Sequence, residues 1–240
     1  MNYLSATSQH RKEEICGGIT FSPFKLRDRD TIITADNIIF RVYGYFHPPN
    51  AYVCDPEYAP ARIYESMNPR ALRGPKKPIY YKFYADEGLL FVRKKYPRYT
   101  IFYEPLQERI VGVPQEYIME TRKPNEGLQR LIEKKPEDNL NKALHKLFRL
   151  VTARSGLSEK DFGVFGSLLH GFHHPRFSDL DLVVYGREEL GRLCEALSEL
   201  YWEGSLQNEF ENEKAIEGKR WRFMNYSPEE YLWHQRRKMI

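Results

Sequence analysis

Two aspartates one residue apart, Asp179-Leu180-Asp181, stand at the head of an apolar run, Leu182-Val183-Val184. Along a strand, residues i and i+2 point the same way. Asp179 and Asp181 are therefore expected on one face, with Leu180, Leu182 and Val184 on the other. Two carboxylates held that close repel each other unless a cation sits between them. Oxygen-only ligands suit Mg²⁺ or Mn²⁺, whose remaining positions go to water and substrate phosphates. Upstream, Gly166-Ser167 precedes the pair by eleven intervening residues. It falls between a strand-like run at 162–165 and one or two expected helical turns at 167–171. Glycine there permits close backbone approach, and a following helix N-terminus presents free N–H groups to an anion. A phosphate cradle beside a carboxylate-held metal is the minimum apparatus for phosphoryl or nucleotidyl transfer.

The string Gly163-Val164-Phe165-Gly166-Ser167, followed at this distance by Ser178-Asp179-Leu180-Asp181, resembles the signature of the polymerase-β-type nucleotidyltransferase superfamily. That superfamily includes CCA-adding enzymes, poly(A) polymerases, kanamycin nucleotidyltransferase and the small nucleotidyltransferases of toxin–antitoxin pairs. The resemblance covers roughly residues 160–202. More loosely, the whole arrangement is similar to an archaeal group of predicted nucleotidyltransferases with a β-rich N-terminal region. The resemblance implies that Gly166 and Ser167 hold the triphosphate of an NTP. It implies that Asp179 and Asp181 are catalytic and bind the divalent metals. Arg176 and Ser178, in the loop between the two halves of the motif, are placed with the nucleotide-binding residues. His170, His173 and His174 of the same loop read as ordinary polar residues, and no cysteine completes a zinc set with them.

The family pattern also wants a third carboxylate on the next strand. The candidate strand, 219–225, reads Lys-Arg-Trp-Arg-Phe-Met-Asn and carries no acid. Glu209, Glu211, Glu213 and Glu217 lie just before it. Three readings follow: one of these substitutes, the chain stops before the strand that bears the acid, or the site is degraded.

The elements that must position these residues form two regions. Residues 20–118 read as strands and turns. β-type runs occur at 30–34, 38–43, 79–84, 88–93, 99–103 and 109–113, broken by Pro- and Gly-bearing turns. The stretch 54–78 reads as a loop-rich insertion. A small antiparallel sheet or partly open barrel is expected. A short amphipathic segment, 125–135, leads to a linker at 134–138. Beyond it the grammar alternates: a helix from Leu140 to Val151 stopped by Gly156, strands at 162–165 and 179–185, and a helix at 187–202. A last helix is opened by Ser227-Pro228-Glu229-Glu230. The fold class is therefore α+β: a β-rich N-terminal domain (1–135), then a small α/β nucleotidyltransferase domain with a mixed sheet (136–240).

Composition narrows the function classes. The 240 residues are 41% hydrophobic and 29% charged, which is globular rather than disordered. No apolar run approaches the roughly 18–20 residues of a spanning helix, and the N-terminus shows no apolar core of a signal peptide. Three scattered cysteines make no disulfide framework. A cytoplasmic protein without membrane partners is expected, and nothing in the sequence specifies its oligomeric state. The net charge of +4 is uneven: residues 1–137 carry 22 Lys and Arg against 17 acids, the remainder 15 against 16. Residues 62–98 hold ten Lys and Arg against three acids, interleaved with Tyr and Phe. Basic groups track phosphates and aromatic faces stack on bases, although aromatics also fill β-cores. NMP transfer from an NTP to a hydroxyl acceptor is thus expected, RNA slightly favoured. The alternatives are a catalytically degenerate nucleotide- or RNA-binding protein and an enzyme that modifies a protein or small molecule.

Overall fold

The β-branched run Thr31-Ile32-Ile33-Thr34 forms β1 (Thr31–Thr34), and the turn after it, with Asn37 at φ +60°, leads into β2 (Ile39–Val42). The computed structural model describes residues 25–74, 79–174, 176–207 and 227–237. The first half adds β3 (Ala51–Pro60), β4 (Leu72–Arg73), β5 (Tyr80–Lys82), α1 (Glu87–Lys95), β6 (Thr100–Tyr103), β7 (Glu108–Pro114) and β8 (Ile118–Arg122). These strands make one eight-stranded sheet in the order β4-β5-β3-β2-β1-β8, with β7 on the first residues of β3 and β6 on β7. Every pairing is antiparallel. The expected antiparallel sheet is present.

Two local expectations are corrected. Residues 88–93 are helix, not strand. Glu87 lies in the first turn of α1 and Arg93, Lys94 and Lys95 in its last, each sign where the helix dipole favours it. Part of the stretch read as a loop-rich insertion belongs to β3, the longest described strand, despite Pro56. Pro56 pairs with Phe40 where the β2–β3 register shifts, and a bulge is where an interior strand tolerates proline.

The two faces of the sheet have different partners. One buries Ile32, Phe40, Val42, Tyr52, Cys54 and Val113 against Val92 of α1 and Tyr99. The other is defined by the cross-strand pairs Ile33–Ile39, Arg41–Asp55, Ile39–Tyr58 and Tyr58–Lys82, since residues opposite in a ladder share a face. On that face Ile33, Ile39 and Tyr58 close on Phe172 of the second half. The Gly74 N–H donates to the Phe172 carbonyl at 2.7 Å, fixing the same junction.

The second half comprises α2 (Pro124–Ile132), α3 (Asn139–Ser155), β9 (Phe162–Val164), α4 (Gly166–Leu169), β10 (Leu182–Val184), α5 (Arg187–Trp202) and α6 (Pro228–Arg237). β9 and β10 pair antiparallel, and Leu128, Leu144, Phe148, Phe162, Val164, Leu193 and Leu200 form the core around them. Asp138 caps α3 by accepting the Asn141 N–H, and Gly156 ends it in the left-handed region at φ +64°. A capping box at Ser227 and Glu230 opens α6. The architecture is α+β, as expected. The strand expected at 219–225 lies outside the described residues.

Candidate active site

Gly166 is the pivot. It leaves β9 with φ +65°, which a glycine adopts without cost. A Cβ on it would lie 2.9 Å from Asp181 Oδ2 and 3.7 Å from the Tyr58 hydroxyl. Gly166 is therefore required both by its backbone and by the carboxylate lying against it. The placement of Asp181 follows from the ladder. β10 is shorter than the strand expected at 179–185, beginning at Leu182, but the Phe165 N–H still donates to the Asp181 carbonyl at 3.0 Å. That bond sets Asp181 opposite Phe165, one residue from Gly166.

The Ser167 hydroxyl donates to Ser178 Oγ at 2.9 Å, and Ser178 Oγ also accepts the His174 N–H at 2.8 Å. The two serines placed in the motif thus meet and close the loop between its halves. Arg176 is exposed beside them; its backbone N–H bonds His174 Nδ1, and no contact of its guanidinium is seen among the described residues. Each of the three histidines has a partner within the fold. His173 bonds the Asp138 carboxylate at the start of α3, and His174 stacks on Phe177. His170 stacks on Phe172 and meets Arg122 at 3.3 Å.

Burial of the His170 ring, with Arg122 beside it, pushes its pKa down to about 3. The folded protein therefore holds His170 neutral where the unfolded chain takes up a proton. The sign is fixed: stability falls as pH drops below 6.5 toward 3. Relative to His170→Gln, the wild type is expected to lose on the order of 1–2 kcal/mol between pH 6.5 and 5. Urea unfolding of both proteins at several pH values checks this; parallel pH curves would refute it.

Sequence spacing missed the wall facing Asp181, because that wall comes from the other half of the chain. Burial raises the Asp181 carboxyl above the usual range and Asp179 adds to the effect, while Lys82, Arg41 and Arg29 pull it back. Arg41 forks between Asp55 at 2.8 Å and Glu57 at 3.2 Å. Glu57 is raised by its own burial, and Asp181 is among the charges acting on it. The one available signal was a charge, Arg41, inside an otherwise apolar β-run. Asp179 is exposed at the mouth.

Among the described residues, no three His, Cys, Asp or Glu side chains converge as a metal cluster. Asp179 and Asp181 stand as a pair of hard oxygen donors, one pressed into low dielectric beside the other. That fits Mg²⁺ or Mn²⁺, which keep waters and take further ligands from substrate phosphates. Glu209, Glu211, Glu213 and Glu217 lie outside the described residues.

The basic aromatic region 62–98 is largely consumed by packing. Tyr64, Phe83, Phe91 and Tyr96 form a chain of ring contacts with centroids 4.4–5.5 Å apart, and Tyr80 stacks on Phe172. No helix among the described residues is long and apolar enough to cross a membrane.

Residues 144–238 match the family model described as a nucleotidyltransferase domain. The chain is 28% identical over 221 residues to the uncharacterized protein MJ1086 of Methanocaldococcus jannaschii, which covers 89% of this chain and 64% of that protein. The chain thus spans less than two thirds of the length of that relative. No solved structure matches. The C-terminal region of this chain is a nucleotidyltransferase domain of the polymerase-β type.

Proposed function

We propose that the protein transfers a nucleoside monophosphate from an NTP to a hydroxyl acceptor and releases pyrophosphate, with RNA the favoured acceptor. The observation that supports it best is the Asp181 carboxylate lying against the Gly166 turn, with Asp179 two residues away. In this reading Asp179 and Asp181 hold a divalent cation, which when bound polarises the attacking hydroxyl and the leaving pyrophosphate. Gly166 leaves room for the polyphosphate, and Ser167 and Ser178 hold the turn that receives it. Arg176 reaches a phosphate from the loop. Lys82, Arg41 and Arg29 supply positive charge opposite the carboxylates, where the nucleotide's negative charge must come. The acceptor oxygen attacks the α-phosphorus as the bond to pyrophosphate breaks, and its proton leaves to solvent. We place the division of labour at 135/136, with α2 as the bracket. It precedes the boundary in sequence and packs Leu128 into the second core.

The test is transfer from each α-labelled NTP, with Mg²⁺ or Mn²⁺ and total cellular RNA. Label on RNA supports the reading and names the base. Label on protein instead moves the acceptor to a polypeptide hydroxyl. No label on any acceptor sinks the catalytic reading.

A further inference from the structure

One cavity lies away from the carboxylate pair, with neither Asp179 nor Asp181 in its lining. It is about 780 Å³ and runs between α2, α3 and the segment at 157–160. Its rim is one face of α3: Lys142, His145, Lys146 and Arg149 recur at helical spacing, and Lys160 stands on the opposite side. From 142 to 149 the rise of 1.5 Å per residue gives a basic edge about 10 Å long. Glu159 is the one acid in the lining. Lys142, Lys146, Arg149 and Lys160 are all exposed. None is ion-paired within the described residues, whereas Arg154, one turn on from that face, is held by both Glu199 and Glu203. The floor is apolar, made by Ile132, Phe148 and Leu157.

Free cations along a rim and an apolar floor are complementary to one class of ligand. A phosphate backbone follows the cations while an unpaired base rests on the floor. We propose that this groove is a second polynucleotide site, taking a single-stranded RNA segment away from the carboxylate pair. It gives the acceptor a hold that does not depend on the reacting end. The proposal deepens the RNA reading of the proposed function and rests on it for the acceptor's identity, but not for binding itself. The aromatics of 62–98, engaged with one another, leave this groove as the better-formed basic surface.

The test is fluorescence anisotropy of a labelled mixed-sequence 15-nucleotide RNA against the full chain, across a salt series. The triple variant Lys142→Gln/Lys146→Gln/Arg149→Gln replaces exposed side chains only and is paired with Asp179→Ala/Asp181→Ala. Each neutralised phosphate contact contributes about 0.7 to the logarithmic salt slope of a single strand. Losing three cations is therefore expected to flatten the slope by about 2 and to weaken binding at least about tenfold near physiological salt. Mg-ATP binding should be unchanged in the triple variant, and RNA binding largely kept in the aspartate variant. Equal RNA affinity and slope in wild type and triple variant would overturn the groove while leaving transfer to RNA intact. Displacement of RNA by free ATP in the aspartate variant would make it a nucleotide site and overturn it too. Label on protein rather than RNA, with the slope change still seen, would refute the acceptor reading and keep the groove.

Discussion

Asp179→Ala/Asp181→Ala is expected to lower nucleotide transfer at least about a thousandfold. Metal-assisted charge stabilisation supplies several kcal/mol to such a step, and each 1.36 kcal/mol is a factor of ten. The same site predicts a gain elsewhere. Asp181 is a carboxylate that burial and Asp179 hold above the usual range, so its charged form is costly in the folded state. The folded protein prefers the protonated form more than the unfolded chain does. Its stabilising contribution is thus present below the ordinary 3.8 and is lost as pH rises through the folded value. At pH 7, Asp181→Asn should therefore raise stability by about 0.5–1.5 kcal/mol, or roughly 1–6 °C in Tm, while abolishing transfer. Adding Mg²⁺ should raise the wild-type Tm and not that of the variant. A less stable Asp181→Asn protein would mean that Lys82, Arg41 and Arg29 already over-compensate the carboxylate.

Gly163→Ala is expected to cost about 3 kcal/mol, near the upper end for overpacking a core, which is roughly 6–12 °C in Tm for a chain of this size. A Cβ there would lie 2.5 Å from Pro124 Cβ, 2.7 Å from Pro124 C and 2.8 Å from Asn125 N. These are mostly atoms of the first turn of α2, which cannot swing aside as a side-chain end can. The damage should reach the site, because Gly163 pairs with Val183 and lies three residues before Gly166. Gly191→Ala is the matched control. It sits in α5 with nothing within 4 Å of its added carbon, and should stabilise the helix by up to about 1 kcal/mol. Thermal unfolding of the two variants decides it; equal Tm values would show that β9 and α2 separate easily.

What the sequence disclosed was what depends on neighbours in sequence. The run at 31–34 with its Asn37 turn, α3 between Asp138 and Gly156, α5 and the Ser227 cap are set by period, cap and stop signals within a few residues. Gly166 and Asp181 could be paired in advance because the hairpin joining them is local. α1 was misread because its short apolar run, Leu89-Leu90-Phe91-Val92, does not by itself distinguish helix from strand. β3 was missed because Pro56 argues against an interior strand unless the bulge opposite it is known. The Arg41, Lys82 and Tyr58 wall was illegible for a different reason. Its residues approach Asp181 across roughly a hundred positions or more, through sheet register that no local pattern encodes.

The cluster of Ile33, Ile39 and Tyr58 with Phe172 has a consequence for any attempt to transplant this protein's parts. A chimera that kept residues 136–240 and exchanged the sheet would strip three of the four members from a buried apolar contact. It would also remove the basic counter-surface from in front of Asp181. The unit of inheritance is accordingly the pair of halves together. An exchanged sheet should succeed only when it arrives with its own matching residue at position 172.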